Sequence, residues 1–211
     1  MTVHATLAAP PWPPATHRRD SAHMNRVIDR GAVVAAYVGM GMALVIGVSF
    51  LLVIPIEPIF WIAALPAGLL IGYYADQRSD RRAGPWPRIV VNGLFAGAVT
   101  GLTMAVLLLG VKALFFAADD GYRDPGLGGP IVCDMGADCV YQRYREGQDA
   151  ALVDAGVTDA TSFSAFYWGQ QWASARLVLI VTIVGGLGGA LLYGVARPRS
   201  PGAPREPSPA A

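Results

Sequence analysis

From Ile89 to Val111 the chain carries no charged side chain, and within that run Gly93, Gly97, Gly101 and Ala105 recur at every fourth position. A bilayer core about 30 Å thick is crossed by roughly 20 apolar residues of helix, so this run has the length of a crossing. The four-residue spacing puts the small residues on one helix face. Lipid tails are as apolar as leucine, so helices in a bilayer associate through close backbone contact, which such a face permits. Three further stretches have the same character: Ala32 to Ile54, Pro58 to Tyr74 and Leu177 to Val195. With 54% hydrophobic and 15% charged residues in such blocks, an ordinary water-soluble domain is excluded. The predicted fold class is all-α: a polytopic four-transmembrane-helix bundle with an extracytoplasmic subdomain between helices three and four.

The predicted organisation is a basic cytoplasmic tail over 1–30 and, within 31–116, three crossings at about 32–54, 58–74 and 89–116. An acidic outer loop over 117–172 precedes a fourth crossing over 173–196, and a proline-rich tail occupies 197–211. Both tails have the composition of disordered segments, with a short amphipathic lead from Ser21 to Arg30. The first apolar run is longer than a signal-peptide core, and no A-x-A type site follows Ile54, so it reads as a retained anchor.

Charge sets the topology. Arg18, Arg19, Arg26 and Arg30, then Arg78, Arg81, Arg82 and Arg88, then Arg197, Arg199 and Arg205 flank the runs on one side. Nine acidic residues from Asp119 to Asp159 sit in the long loop with Arg123, Arg143, Arg145 and the edge residue Arg176. Basic residues near helix ends stay cytoplasmic. Both termini and the 75–88 loop are therefore expected inside, and the long loop outside. Cys133 and Cys139 both fall in that loop, where an oxidising compartment favours a disulfide. The dominance of arginine over a single lysine, with much alanine and proline, suggests a bacterial origin and hence a bacterial inner membrane.

Small-residue stripes recur in every run. Gly31, Ala35, Gly39, Ala43 and Gly47 mark the first, and their match to the third predicts direct contact between helices one and three. Ala64, Gly68 and Gly72 mark the second, and Thr182, Gly186, Ala190 and Gly194 the fourth. Glu57 and Pro58 suit a helix start, Pro66 is expected to kink or open the second helix, and Glu57 and Lys112 are a candidate pair at the outer boundary. Tyr73, Tyr74 and Trp86 suit the inner interface. In the loop, Tyr141 to Ala155 has helical composition up to Gly156, and Thr158 to Ser162 reads as a second helix start. Phe163, Phe166, Tyr167, Trp168 and Trp172 then form an aromatic face expected at the outer headgroups.

Ionisable residues at mid-depth would mark an ion or proton path, and the four runs hold none. Their polar residues, Ser49, Asn92, Thr100, Thr103 and Thr182, are neutral and suit backbone carbonyls or neighbouring helices. Thiol redox catalysis favours C-x-x-C with an acidified thiol, whereas the cysteines stand as C-x5-C beside Asp134 and Asp138. A calcium loop opening at Asp134 needs an acidic closure where Arg145 stands. The expected function is non-enzymatic, without metal or cofactor: an accessory, assembly or scaffolding subunit held by its glycine faces. Its expected partners are the lipid bilayer and a membrane protein or a second copy, not nucleic acid. The alternative is a small transporter or channel subunit with a broken helix at Pro66.

Overall fold

The computed structural model describes residues 28–51, 57–79, 84–118 and 133–197. The expectations for the 1–27 and 198–211 tails, the 52–56 hairpin and the 119–132 turns lie outside these residues. Those described form five helices and no strand: α1 (Arg30–Leu51), α2 (Glu57–Gln77), α3 (Trp86–Ala118), α4 (Ala137–Asp154) and α5 (Ala160–Ala196). Three of them, α1, α3 and α5, are long and apolar enough to cross a membrane.

The distribution of side chains is the reverse of that in a water-soluble bundle. Large apolar residues point outward, among them Tyr37, Val45, Ile62, Leu70, Val106 and Val195, while Ala32, Ala35, Ala43, Ala64, Ala96 and Ala190 are fully or almost fully enclosed. Small residues inside let backbones approach, and large ones outside meet hydrocarbon. Two apolar clusters fill the bundle. Phe60, Met104, Leu108 and Val178 gather with Ala43, Ala64 and Ala67 toward one end, and Ala32, Ala35, Ile71, Ala75 and Ala96 toward the other.

α5 packs along both α2 and α3, and α1 lies against α3 and α2 on the other side. At one end α4 closes a small cap over the start of α5 and the end of α3. The opposite, basal end gathers the start of α1, the end of α2, the start of α3 and the end of α5.

The cap begins at the Cys133–Cys139 disulfide, whose Cα atoms are 5.3 Å apart. α4 stops where Gly156 adopts φ +69°, a left-handed conformation that costs glycine nothing. The amide of Val157 then bonds the carbonyl of Leu152 at 2.9 Å, and Val157 and Leu152 are both buried, as a glycine-terminated helix end commonly arranges. α5 starts three residues later on a reciprocal cap. Asp159 Oδ1 accepts the Ser162 amide at 2.8 Å, and Ser162 Oγ accepts the Asp159 amide at 3.2 Å.

Two details differ from the sequence expectation. α5 runs unbroken for 37 residues, about 55 Å at 1.5 Å per residue, so the boundary drawn between 172 and 173 falls inside one helix. No proline interrupts this stretch, and Gly169 lies in an open position that asks for no bend. The aromatic face also has protein partners of its own. Phe163 and Tyr167 are buried with Val140, Leu152 and Val157, joined by Phe116, Tyr141, Tyr144, Phe166 and Trp168. α4 supplies the apolar partners that a bare amphipathic stretch would have sought in lipid; Trp172 alone of the five stays largely exposed.

Candidate functional site: a glycine seam and its basal polar cluster

Gly186 is the centre of the bundle's closest contacts. A Cβ built on it would lie 2.6 Å from the carbonyl oxygen of Gly93 and 2.9 Å from Cα of Gly97, and one built on Gly72 would strike the Gly186 backbone. Thus α2 and α3 both press on the same turn of α5. The seam continues to either side. Gly68 and Gly185 face each other, each hypothetical Cβ lying 3.0 Å from the other's Cα, and Gly101 faces Thr182 at 3.0 Å. Ala190 stands over Gly93, while Gly194 leaves room for the Trp86 ring. At such separations glycine is required by space rather than by conformation.

The stripes of helices one and three do not pair with each other. α1 does meet α3, but Gly39 receives Thr100 and Gly47 faces Leu107 at 3.3 Å, while Gly93, Gly97 and Gly101 turn to α5. α3 therefore carries two contact faces about a quarter-turn apart, one glycine-rich and one built on Ala96, Thr100 and Leu107. Ala35, Ala43 and Ala105 are buried in the bundle, and Gly31 lies against the backbone of Arg78 and Ser79.

The hydroxyls within the seam are turned back on their own helices. Thr100 donates to the Ala96 carbonyl at 2.9 Å, Thr103 to Val99 at 2.8 Å and Thr182 to Val178 at 2.7 Å, the usual use of threonine inside a membrane helix. Pro66 lies within the continuous α2 on its exposed side. Glu57 opens α2, but its side chain lies outside the described residues, and so does any pairing with Lys112.

The basal end holds what the sequence expectation missed. Asn92, in the second turn of α3, is buried and joins two carboxylates: its amide nitrogen donates to Asp29 Oδ2 at 3.3 Å and to Asp76 Oδ1 at 3.4 Å. Its carbonyl oxygen accepts the Asp29 backbone amide at 3.2 Å. Ser79 Oγ donates to Asp29 Oδ2 at 2.7 Å. One amide thereby ties the start of α1 and the end of α2 to α3. Asp76 is 1% exposed, and its Oδ2 is enclosed with no hydrogen-bond partner. Beside the cluster, the Arg197 guanidinium donates to the Gly84 carbonyl at 2.7 Å and lies over Trp86, while Arg78 lies over Tyr74.

The signal for this cluster was present. Asp29 stands just before the first apolar run, Asp76 just after the second, and Asn92 near the start of the third. In alternating helices these three positions share one end. Both acids stand among arginines, so a count of basic residues passes over them.

No metal-holding group of three or more His, Cys, Asp or Glu residues occurs among the described residues. No family model, curated protein sequence or solved structure matches this chain.

Proposed function

We propose that this chain is an integral membrane protein of four crossings with a non-enzymatic accessory, assembly or scaffolding role, carrying its cap on the outer side of a bacterial inner membrane. The observation that carries this reading is the glycine seam. α2, α3 and α5 meet backbone to backbone around Gly186, a packing that supports a rigid body rather than a substrate path between these helices.

Two further features support the topology. α2 has 21 residues, about 31 Å of helix, which matches the bilayer core, and it is packed between helices that have the character of crossings. Arg30, Arg78, Arg88 and Arg197 stand at the basal end, whereas the cap carries Asp134, Asp138, Glu146, Asp149, Asp154 and Asp159 against Arg143 and Arg145. That asymmetry supports a cytoplasmic basal end.

The outward positions Gly41 and Gly110 have no neighbour within 4 Å and offer close approach to a partner helix. The test is gentle solubilisation from the native membrane, with mass spectrometry of what co-purifies, followed by crosslinking from a photoreactive residue at position 41 or 110. A stoichiometric membrane-protein partner crosslinked from either position is expected. Solute flux in liposomes containing the purified chain alone would overturn the accessory role in favour of transport.

A further inference from the structure

We propose that the Asp29–Asp76 pair at the basal end of the seam takes up one hard cation on its carboxylate oxygens, a proton or a small metal ion, and that this occupancy locks α1, α2 and α3 together.

The first ground is an imbalance of donors. Two carboxylates offer four oxygens. The donors given to them are the Asn92 amide, shared between both, and the Ser79 hydroxyl, and both of these reach Asp29. Asp76 is left with one bond at 3.4 Å and one enclosed, unpartnered oxygen. A buried charge ordinarily has a counter-charge or a full set of donors.

The second ground is the surrounding field. Asp76 lies in the last turn of α2, where the exposed carbonyls of a helix end carry partial negative charge and favour a cation. The carboxylate that shares the Asn92 amide with it, Asp29, is a like charge. Among the described residues neither carboxylate forms an ion pair. Arg78, on the same element, lies over Tyr74 instead. Arg197 of α5 is held at Gly84 and Trp86, and Arg30 of α1 is exposed. Carboxylate and hydroxyl oxygens suit hard cations rather than soft ones. Asp29 is only partly buried, so the pair has a way to water.

Because Asp29 immediately precedes α1, Asp76 lies in the last turn of α2 and Asn92 is on α3, a positive charge between the acids joins three helices at once. Without it, two like charges share one amide and push the helix ends apart. The inference stands whether or not the bundle has a protein partner.

The experiment uses the full chain purified in detergent, with thermal unfolding and amide exchange of the Ser79 region as readouts. In one arm, chelated and sodium-free, pH is lowered from mildly alkaline to mildly acidic. In the other, at alkaline pH, Mg2+, Ca2+ and Na+ are added singly. A rise in midpoint of about 2–4 °C, with a higher protection factor at Ser79, is expected in one arm and identifies the cation. Asp76→Asn should lose that response. An equal response in Asp76→Asn, or none in the wild-type chain in either arm, overturns the proposal. Should Asp76→Asn fail to fold, infrared difference spectra of the wild-type chain decide. A protonated-carboxyl band near neutral pH, where ordinary carboxylates are ionised, marks a proton, and a shifted carboxylate band marks a metal; neither band overturns it.

Discussion

At Gly186 a single hydrogen in place of a side chain decides whether three helices can meet. A methyl group there would lie 2.6 Å from the Gly93 carbonyl and 2.9 Å from Cα of Gly97, and both obstacles are backbone, which cannot rotate aside. Overpacking of this kind costs about 1–3 kcal/mol. Gly186→Ala is therefore expected to lower the thermal midpoint in detergent by several degrees, about 2–4 °C for each kcal/mol in a chain of this size. Gly110→Ala, at a position with nothing within 4 Å, should leave it unchanged. Equal effects from the two substitutions would show that glycine content rather than the seam matters.

Among the elements, α5 does two jobs in one rod. Its lower part belongs to the seam, while its first turns hold Phe163 and Tyr167 in the cap. The helix starts where Asp159 is bonded by the Ser162 amide first and the Ser162 hydroxyl second, and these bonds hold its carboxyl below the usual aspartate range. A depressed folded-state pKa contributes stability above the unfolded value, and that contribution disappears as pH falls through the folded one. Acidification is thus expected to lower the protection factors of the Ser162 and Phe163 amides, each rate being referred to the intrinsic exchange rate at that pH. Asp159→Asn keeps a capping oxygen but removes the titration, so its protection factors at these amides should not follow pH; a variant that tracks the wild type would remove Asp159 as the cause.

Across the whole molecule, cap and bundle are separate cores joined by α3 and α5, one mainly aromatic and one rich in alanine with a few larger apolar residues such as Phe60 and Met104. The disulfide closes a loop over a sequence separation of 6 within the cap, and a short loop of this kind contributes about 2 kcal/mol. Changing Cys133 and Cys139 to serine should open α4 to protease while the seam keeps its protection; loss of both together would show that the two cores unfold as one. Much of this architecture is legible in the chain. Uncharged runs of membrane length, stripes at four-residue spacing, the placement of both cysteines in the acidic loop, and the helix signals at Gly156 and Asp159 follow from local periodicity and capping chemistry, which depend on near neighbours alone. Which stripe faces which does not. Gly39 and Gly97 carry the same sequence signal, yet one receives a threonine and the other a backbone, because pairing depends on the rotation of each helix about its axis. The aromatic residues after Ser162 read equally well as a membrane-surface face and as the core of a cap until α4 folds over them. Asp29, Asp76 and Asn92 lie far apart along the chain and are joined only by the antiparallel return of α1, α2 and α3. The sequence by itself determined the helices and their apolar character, since hydrocarbon-length runs and backbone hydrogen bonding are local demands. Only the tertiary structure decided the seam and the buried acids, since contact between helices is a property of their mutual rotation, which no single segment encodes.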